Sequence, residues 1–211
     1  MARGKYTKWS FLLGVPFLLV GMYLYLFGGS FPEELSYPFI LFGVFISLIG
    51  LYVYLRAAPE APNLREGEEI VATQHPVQRV AIVEVLFGGL VLGVGIYWLL
   101  FTFRPYVYPT VAFVLGLYLF SSGLYTYWAN SLTTYYVTNQ RVISEYRFLS
   151  LAKREISLNK VRGVEERRSV VETLVGLGNV HIASGGGKSL EIEMKNMKNS
   201  SDFVDDLRRM I

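Results

Sequence analysis

The chain of 211 residues is 52% hydrophobic and only 18% charged, and its mean hydropathy is +0.36. This shortage of charge is typical of a membrane protein and not of a soluble domain. The absence of cysteine excludes disulfides, thiolate metal sites and cysteine nucleophiles, and the presence of only two histidines argues against a histidine metal cluster. The net charge of +3 is compatible with anionic lipid, and neither a nucleic-acid partner nor a cofactor is expected.

Four apolar stretches are long enough to cross a bilayer core of about 30 Å as helices. They cover residues 9–27, 38–55, 85–103 and 106–128. Arg104-Pro105 separates the last two, because this pair is too polar and too helix-breaking for hydrocarbon. Tyrosine and tryptophan residues cluster near the ends, as in an aromatic belt. The first stretch exceeds the apolar core of a signal peptide, so we expect a retained helix.

The charges between the spans predict their orientation. Arg3, Lys5 and Lys8 precede the first span, whereas the loop after it carries Glu33 and Glu34. The positive-inside rule therefore places the N-terminus in the cytoplasm. An even number of spans returns the C-terminus to the same side, and the segment between the two hairpins must also be cytoplasmic.

Glycines recur at helical spacing within the spans. Pairs seven residues apart occur in three of them, and the third contains Gly89-x-x-x-Gly93. These pairs are Gly14 and Gly21, Gly43 and Gly50, and Gly116 and Gly123. Such stripes allow close contact between helices, either within the four-helix unit or across a dimer. We favour packing within the unit, because glycine is common in membrane helices.

Beyond Thr133 the apolar pattern becomes alternating, which predicts a β-rich domain. Predicted strands cover residues 135–138, 141–146, 154–158, 161–167, 178–184 and 190–195, with a turn at Asn139-Gln140 and a bulge at Gly163. Ser169 and Glu172 form a capping box that opens a very short helix, which Gly176 closes. A terminal amphipathic helix, capped by Asn199 or Ser200, is expected to cover an open end of the sheet.

Three segments of this region resemble a known family. Residues 136–143 read YVTNQRVI, residues 154–161 read REISLNKV and residues 174–180 read LVGLGNV. In this order, behind paired membrane spans, they resemble the motifs of the membrane-tethered bacterial and archaeal pleckstrin-homology-like (PH-like) domains, with Ser157 where proline is usual. The resemblance implies a β-roll, a bent antiparallel sheet with a C-terminal capping helix. The expected fold is therefore four transmembrane α-helices plus a cytoplasmic PH-like β-roll.

The segment EEIVATQHP at residues 68–76 resembles the strand and His-Pro pair that this family places before two spans. We expect residues 69–74 to pair with the sheet formed after Thr133, with alternate side chains facing the core. A transmembrane hairpin would then interrupt the domain. The predicted organisation is an N-terminal transmembrane hairpin (1–56), a cytoplasmic linker with the first strand (57–79), a second transmembrane hairpin (80–128) and the PH-like domain (129–211).

Two segments invite functional interpretations. The run GGGKS at residues 185–189 lacks the earlier glycine and the following helix of a phosphate loop, so a hairpin turn is expected. The run EERR at residues 165–168 is interpreted first as self-paired surface charge. The alternative is a cluster near the membrane that binds anionic lipid headgroups, each base contributing about 1 kcal/mol. Its members would be Lys153, Arg154, Arg167 and Arg168.

We expect the helices to anchor a binding or scaffold domain at the cytoplasmic leaflet of the lipid bilayer, with a protein partner or a second copy of the chain as its ligand. Two alternatives remain, a sensor of anionic lipid headgroups and an accessory subunit of a membrane transporter or enzyme. Spans nearly free of ionisable residues argue against a pump, an ion channel or an intramembrane protease. We expect no enzymatic activity, and no catalytic, cofactor-binding or metal-binding residue is assigned.

Overall fold

A computed structural model describes residues 7–29, 33–56, 62–103, 105–147, 151–185 and 191–211. The chain divides into two compact units, one formed by residues 1–60 and 147–149 and the other by residues 61–146 and 150–211. Within the described residues, the first unit is mainly helical, and the second combines a helical hairpin with two small sheets.

The first unit is a helical hairpin that packs through glycines. A 3₁₀ helix (Thr7–Gly14) leads into α1 (Val15–Phe27), and a 3₁₀ turn (Glu33–Leu35) leads into α2 (Ser36–Arg56). A Cβ atom on Gly14 would lie 2.3 Å from the carbonyl oxygen of Gly43, and one on Gly21 would lie 2.6 Å from the side chain of Ile40. Only small residues therefore fit where these helices cross.

Three helices are long and apolar enough to cross a membrane, over Glu33–Leu55, Arg79–Leu99 and Val107–Ser131. The first predicted span is represented by a shorter apolar helix, Phe11–Phe27. This helix combines residues 11–14 of the 3₁₀ helix with the 13 residues of α1. The described helices therefore account for three of the four predicted spans by length and composition.

In the second unit, α3 (Arg79–Phe101) and α4 (Val107–Ser131) form a tight hairpin. A Cβ atom on Gly88 would lie 2.3 Å from the backbone nitrogen of Phe120. Cβ atoms on Gly116 and Gly123 would lie 2.5 and 2.7 Å from atoms of α3. Packing within the hairpin is thus confirmed for this glycine pair. The prediction did not identify Gly88, and nothing lies within 4 Å of a Cβ on Gly93.

Two sheets form the rest of the second unit. The first contains β1 (Ile70–Gln74), β2 (Thr133–Thr138), β3 (Arg141–Arg147) and β4 (Leu151–Ser157) in that order, and the second contains β5 (Val161–Arg167), β6 (Leu177–Ser184) and β7 (Glu191–Lys198). The predicted turn at Asn139-Gln140 and the irregularity next to Gly163 are confirmed. Arg104 and residues 186–189 of the glycine-rich run lie outside the described residues.

β1 joins the first sheet although α3 and α4 separate it from β2 in the sequence. It pairs antiparallel with β2, for example Gln74 with Tyr135, which confirms the predicted pairing. The expected alternation is confirmed from Val71 to Gln74 and is wrong at Ile70, because the register shifts between Ile70 and Ala72. As a result Ile70 and Val71 are both exposed, and Ala72 packs against the core.

The core of this unit lies between the two sheets and the terminal helix α6 (Ser200–Met210). Val142, Ile182, Met194 and Leu207 are among its fully buried members. The apolar face predicted for α6 therefore points inward. Asn199 stands at the N-cap position in a left-handed conformation, with φ of 54°, and its side chain makes no capping hydrogen bond.

Contacts of Asn196 fasten the α3–α4 hairpin to the second sheet. At the start of α3, Gln78 donates to the carbonyl oxygen of Tyr127 at 3.1 Å. Asn196 on β7 donates to the side chain of Asn130 on α4 at 3.4 Å, and its carbonyl oxygen accepts from the Val77 amide at 2.8 Å. The two ends of the hairpin, which are predicted to lie on the cytoplasmic side, are thus both bound to β7.

Candidate binding surfaces

A buried ionic clasp holds β1 in the sheet. The guanidinium of Arg141 donates to both carboxylate oxygens of Glu68, at 2.7 and 2.8 Å, and also pairs with Glu155 on β4. The hydroxyl of Thr138 donates to Glu68 at 2.8 Å, and the carbonyl oxygen of Asn63 accepts from Arg141 at 2.8 Å. Each hydrogen-bonding group named here has a partner within the cluster, so the role of the clasp is structural.

The clasp gives a structural role to three motif residues that were identified in the sequence only by their resemblance to the family. Thr138, Arg141 and Glu155 stand in two motifs about 14 positions apart, and the fold brings them together around Glu68. Hydrogen bonds from Arg141 are the main reason that the pKa of Glu68 falls from 4.5 to about 2. Nothing in the sequence pattern singled out Glu68, since its partners lie about 70 residues away.

The four predicted headgroup-binding residues do not form one cluster of free charge. Lys153 on β4 pairs with Glu155 at 2.8 Å. Arg167 pairs with Glu165 at 2.9 Å, and Arg168 hydrogen-bonds Glu166 at 2.8 Å. These last two pairs confirm the interpretation of residues 165–168 as self-paired charge. Arg167 lies opposite Asn179, whereas Arg154 reaches the opposite end of β6 and β7.

Arg154 differs from the other three bases. Its guanidinium donates to the backbone carbonyl of Glu191 at 3.4 Å, and no carboxylate lies within ion-pair distance of it in the described parts of the chain. It lines a groove of about 280 Å³ together with Lys195, Tyr125, Tyr146 and Ser144. Burial, followed by the nearby Tyr125, raises the pKa of Tyr146 above its ordinary value.

A second groove, of about 470 Å³, runs between β1 and α6. Its floor is apolar and includes Ala72 and Leu207, while Val71 stands on the strand side with 58% of its surface exposed. Asp202 and Asp206, one turn apart on α6, line the opposite wall. β1 is also the edge strand of its sheet, so one side of its backbone has no partner strand among the described residues.

The two histidines lie in different places. His75 stands 3.4 Å from the hydroxyl of Thr134, and His181 lies 3.6 Å from Glu193 on the outer face of the second sheet. In the segments that the structure describes, no group of three or more His, Asp or Glu side chains is arranged to hold a metal ion.

The sequence model of the bacterial PH domain family matches residues 79–211, more than half of the chain. The chain belongs to the bacterial PH domain family. Comparison with curated proteins and with solved structures gives no match. The matched part of this bacterial PH domain begins at Arg79 and excludes β1 and Glu68, although both complete its first sheet. The structural domain is therefore larger than the matched segment.

Proposed function

We propose that this protein is a multi-pass membrane protein with both termini in the cytoplasm, in which α1–α4 hold the PH domain at the cytoplasmic leaflet. The family and the three long apolar helices support this proposal. For the first hairpin, residues 9–14 of the 3₁₀ helix and the 13-residue α1 together rise about 31 Å, which is enough for a fourth span. The Arg3, Lys5 and Lys8 cluster supports the orientation.

We further propose that the PH domain recruits a protein partner through the β1–α6 groove. The exposed edge of β1 carries this proposal, because an extended segment can add to such an edge through backbone hydrogen bonds. The apolar floor offers pockets for alternate side chains of the added strand. The charged residues that line the groove are Asp202, Asp206 and Lys198, and Asp202 has no cation within ion-pair distance among the described residues. A partner strand with a lysine or arginine would therefore match the acidic wall.

Neighbouring aspartates on α6 provide a matched test. Each forms an exposed ion pair at 3.7 Å, Asp205 with Arg208 and Asp206 with Arg209, but only Asp206 lines the groove. The full chain would be purified from native membranes as wild type, Asp206→Lys and Asp205→Lys, and the retained proteins quantified by mass spectrometry. We expect Asp206→Lys to lose a specific partner several-fold and Asp205→Lys to retain it. Equal retention by all three proteins would remove the groove as the docking surface.

The same experiment separates the remaining partner classes. If the partner is a second copy of the chain, the sedimentation of the purified protein would change and no additional protein would be found by mass spectrometry. A transporter or membrane enzyme among the retained proteins would support the role of accessory subunit. Val71→Asp places a charge on the exposed strand side of the groove. A partner that this variant retains as well as the wild type does would have to bind elsewhere.

A second candidate function, sensing of anionic lipid headgroups, is favoured by Arg154. α4 has 25 residues and needs only about 20 to cross the core, so its last turn and the adjoining groove would lie at headgroup level. Binding of short-chain phosphatidylglycerol should weaken about fivefold in Arg154→Gln, the equivalent of about 1 kcal/mol for one base. Arg167→Gln is the control, because Arg167 is already paired with Glu165. Equal losses would indicate only general charge attraction.

We also propose that the protein has no catalytic turnover. The proposal is supported by the lack of cysteine and of a complete phosphate-loop pattern in the sequence. Purified wild-type protein would be assayed against broad hydrolase and transferase substrates with and without divalent metals. Turnover that His75→Ala or His181→Ala abolishes would overturn this proposal.

A further inference from the structure

Apolar side chains on the short helix α5 (Val170–Leu174) face outward from the PH domain. Val170 is 78% exposed, Val171 43% and Leu174 82%. Positions 170, 171 and 174 fall on one face of a helix. Single apolar residues on a surface are ordinary, but three on a five-residue helix form a continuous patch that calls for a covering surface.

Hydrogen bonds on the other face fix the direction of this patch. The carboxylate of Glu172 accepts from the amide of Ser169 at 2.7 Å, which completes the capping box, and from the side chain of Asn179 on β6 at 2.7 Å. The polar face of α5 is therefore held against the sheet. The apolar face has no freedom to turn inward without breaking these bonds.

α5 lies beside the end of a membrane-length helix. The guanidinium of Arg79 donates to the carbonyl oxygen of Val175 at 3.0 Å, so the residue after α5 touches the first residue of α3. Arg79 is also where the apolar stretch of α3 begins. The next exposed side chains of α3 are apolar and include Ile82 and Leu86, the latter 68% exposed.

From this geometry we infer that α5 is an interfacial foot, whose Val170, Val171 and Leu174 side chains insert into the boundary between headgroups and acyl chains next to α3. The occupant of the patch is the bilayer itself, because α5 lies beside Arg79, where the exposed apolar stretch of α3 begins. Arg79 stands at the same level, where a cation meets lipid phosphates. The inference rests on the proposed membrane span of α3.

The foot would fix the tilt of the PH domain on the leaflet. Asn196 holds the second sheet at the end of the hairpin through Val77 and Asn130. α5, which is joined to Asn196 through Asn179, adds a second support that reaches into the leaflet. Two supports restrict rotation about the end of the hairpin.

The absence of native cysteine allows a direct test with the full chain. Single cysteines would replace Leu174 on α5, Leu90 in the middle of α3 and Val71 on the exposed edge of β1, which are all well exposed sites. Each protein would carry a nitroxide label in nanodiscs of phosphatidylcholine and phosphatidylglycerol. Electron paramagnetic resonance would measure the access of oxygen, which partitions into lipid, and of a water-soluble nickel complex.

We expect the Leu174 label to be several-fold less accessible to nickel than the Val71 label, and more accessible than the Leu90 label. Nickel access at Leu174 equal to that at Val71, with Leu90 shielded, would overturn the foot and leave the membrane span intact. Nickel access at Leu90 would overturn the span on which both proposals depend. In a second variant, the nitroxide label is placed at position 170 and Leu174 is changed to aspartate. If the foot is inserted, this change should raise the access of nickel to the label at position 170.

Discussion

The carboxylate of Glu68 is held by the guanidinium of Arg141, 73 residues further along the chain, in a two-point contact. Both side chains are at most 5% exposed. The pair joins the segment before β1 to the start of β3, across a sequence interrupted by α3 and α4. A planar guanidinium suits this geometry and lysine does not, because only arginine offers two parallel donors.

Removing one member of the clasp should destabilise the domain strongly. We expect Glu68→Gln to lower the free energy of unfolding by about 3–5 kcal/mol, because it leaves the buried charge of Arg141 without its main partner. Denaturant unfolding of the full chain in detergent would measure this change. Glu165→Gln breaks an exposed pair and should cost at most about 1 kcal/mol. Similar losses in both variants would contradict a structural role for the clasp.

The clasp also predicts how stability depends on pH. The pKa of Glu68 is about 2 in the folded protein, below its ordinary value of 4.5, chiefly because of hydrogen bonds from Arg141. A group whose pKa is lowered by folding contributes its full stabilisation at pH values above its pKa in the unfolded state. This contribution disappears as the pH falls through its pKa in the folded state. Wild-type stability should therefore fall between pH 4.5 and pH 2 more steeply than that of Glu68→Gln. Parallel curves would contradict the assignment.

The sequence was sufficient for the elements that local patterns determine. The alternation of Ile192 and Met194, the capping box at Ser169 and the turn at Asn139 were all found because neighbouring residues decide them. The contacts that sequence reasoning missed depend on distant partners. Glu68 resembles any surface glutamate until the fold places Arg141 beside it. That Arg154 has no acidic partner among the described residues is visible only when the acids near the other bases are located.

The glycines of the α3–α4 hairpin also depend on distant partners, which the sequence does not identify. They allow a prediction that compares two matched variants. Gly88→Ala should destabilise the α3–α4 hairpin, because its Cβ would collide with the backbone of Phe120. Gly93→Ala should be tolerated, since a Cβ there meets nothing within 4 Å. Thermal unfolding in detergent would compare the two. If Gly93→Ala instead dissociates a dimer in sedimentation, the alternative of a dimerisation face at Gly89-x-x-x-Gly93 would be supported.

The proposed topology can be tested by labelling in sealed cells. Single cysteines at positions 4, 34 and 205 should react with an impermeant reagent from outside only at position 34, because Glu33 and Glu34 mark the exterior loop and Arg3 marks the interior. Position 205 serves for the C-terminal region because Asp205 is exposed and Ser200 is buried. Exterior labelling at position 205 would overturn the orientation, and labelling after permeabilisation controls for reactivity.

The last prediction concerns the interrupted sheet. A fragment of residues 133–211 lacks β1 and Glu68, so Arg141 would be buried without its two-point partner and β2 would become an unpaired edge. We expect this fragment to fold poorly and a peptide of residues 62–77 to restore cooperative unfolding, since it supplies both the strand and the carboxylate. Closing the loop through the α3–α4 hairpin costs little entropy, which is why the intact chain tolerates so long an interruption.

The peptide carrying Glu68→Gln is the control for this experiment. It keeps the pairing of β1 with β2 and loses the charge, so it should restore less stability than the native peptide. A peptide with Ala72→Asp should also fail, because Ala72 is the residue of β1 that packs against the core. Cooperative melting of the fragment alone, unchanged by any peptide, would mean that β1 merely rests on a domain that is complete without it.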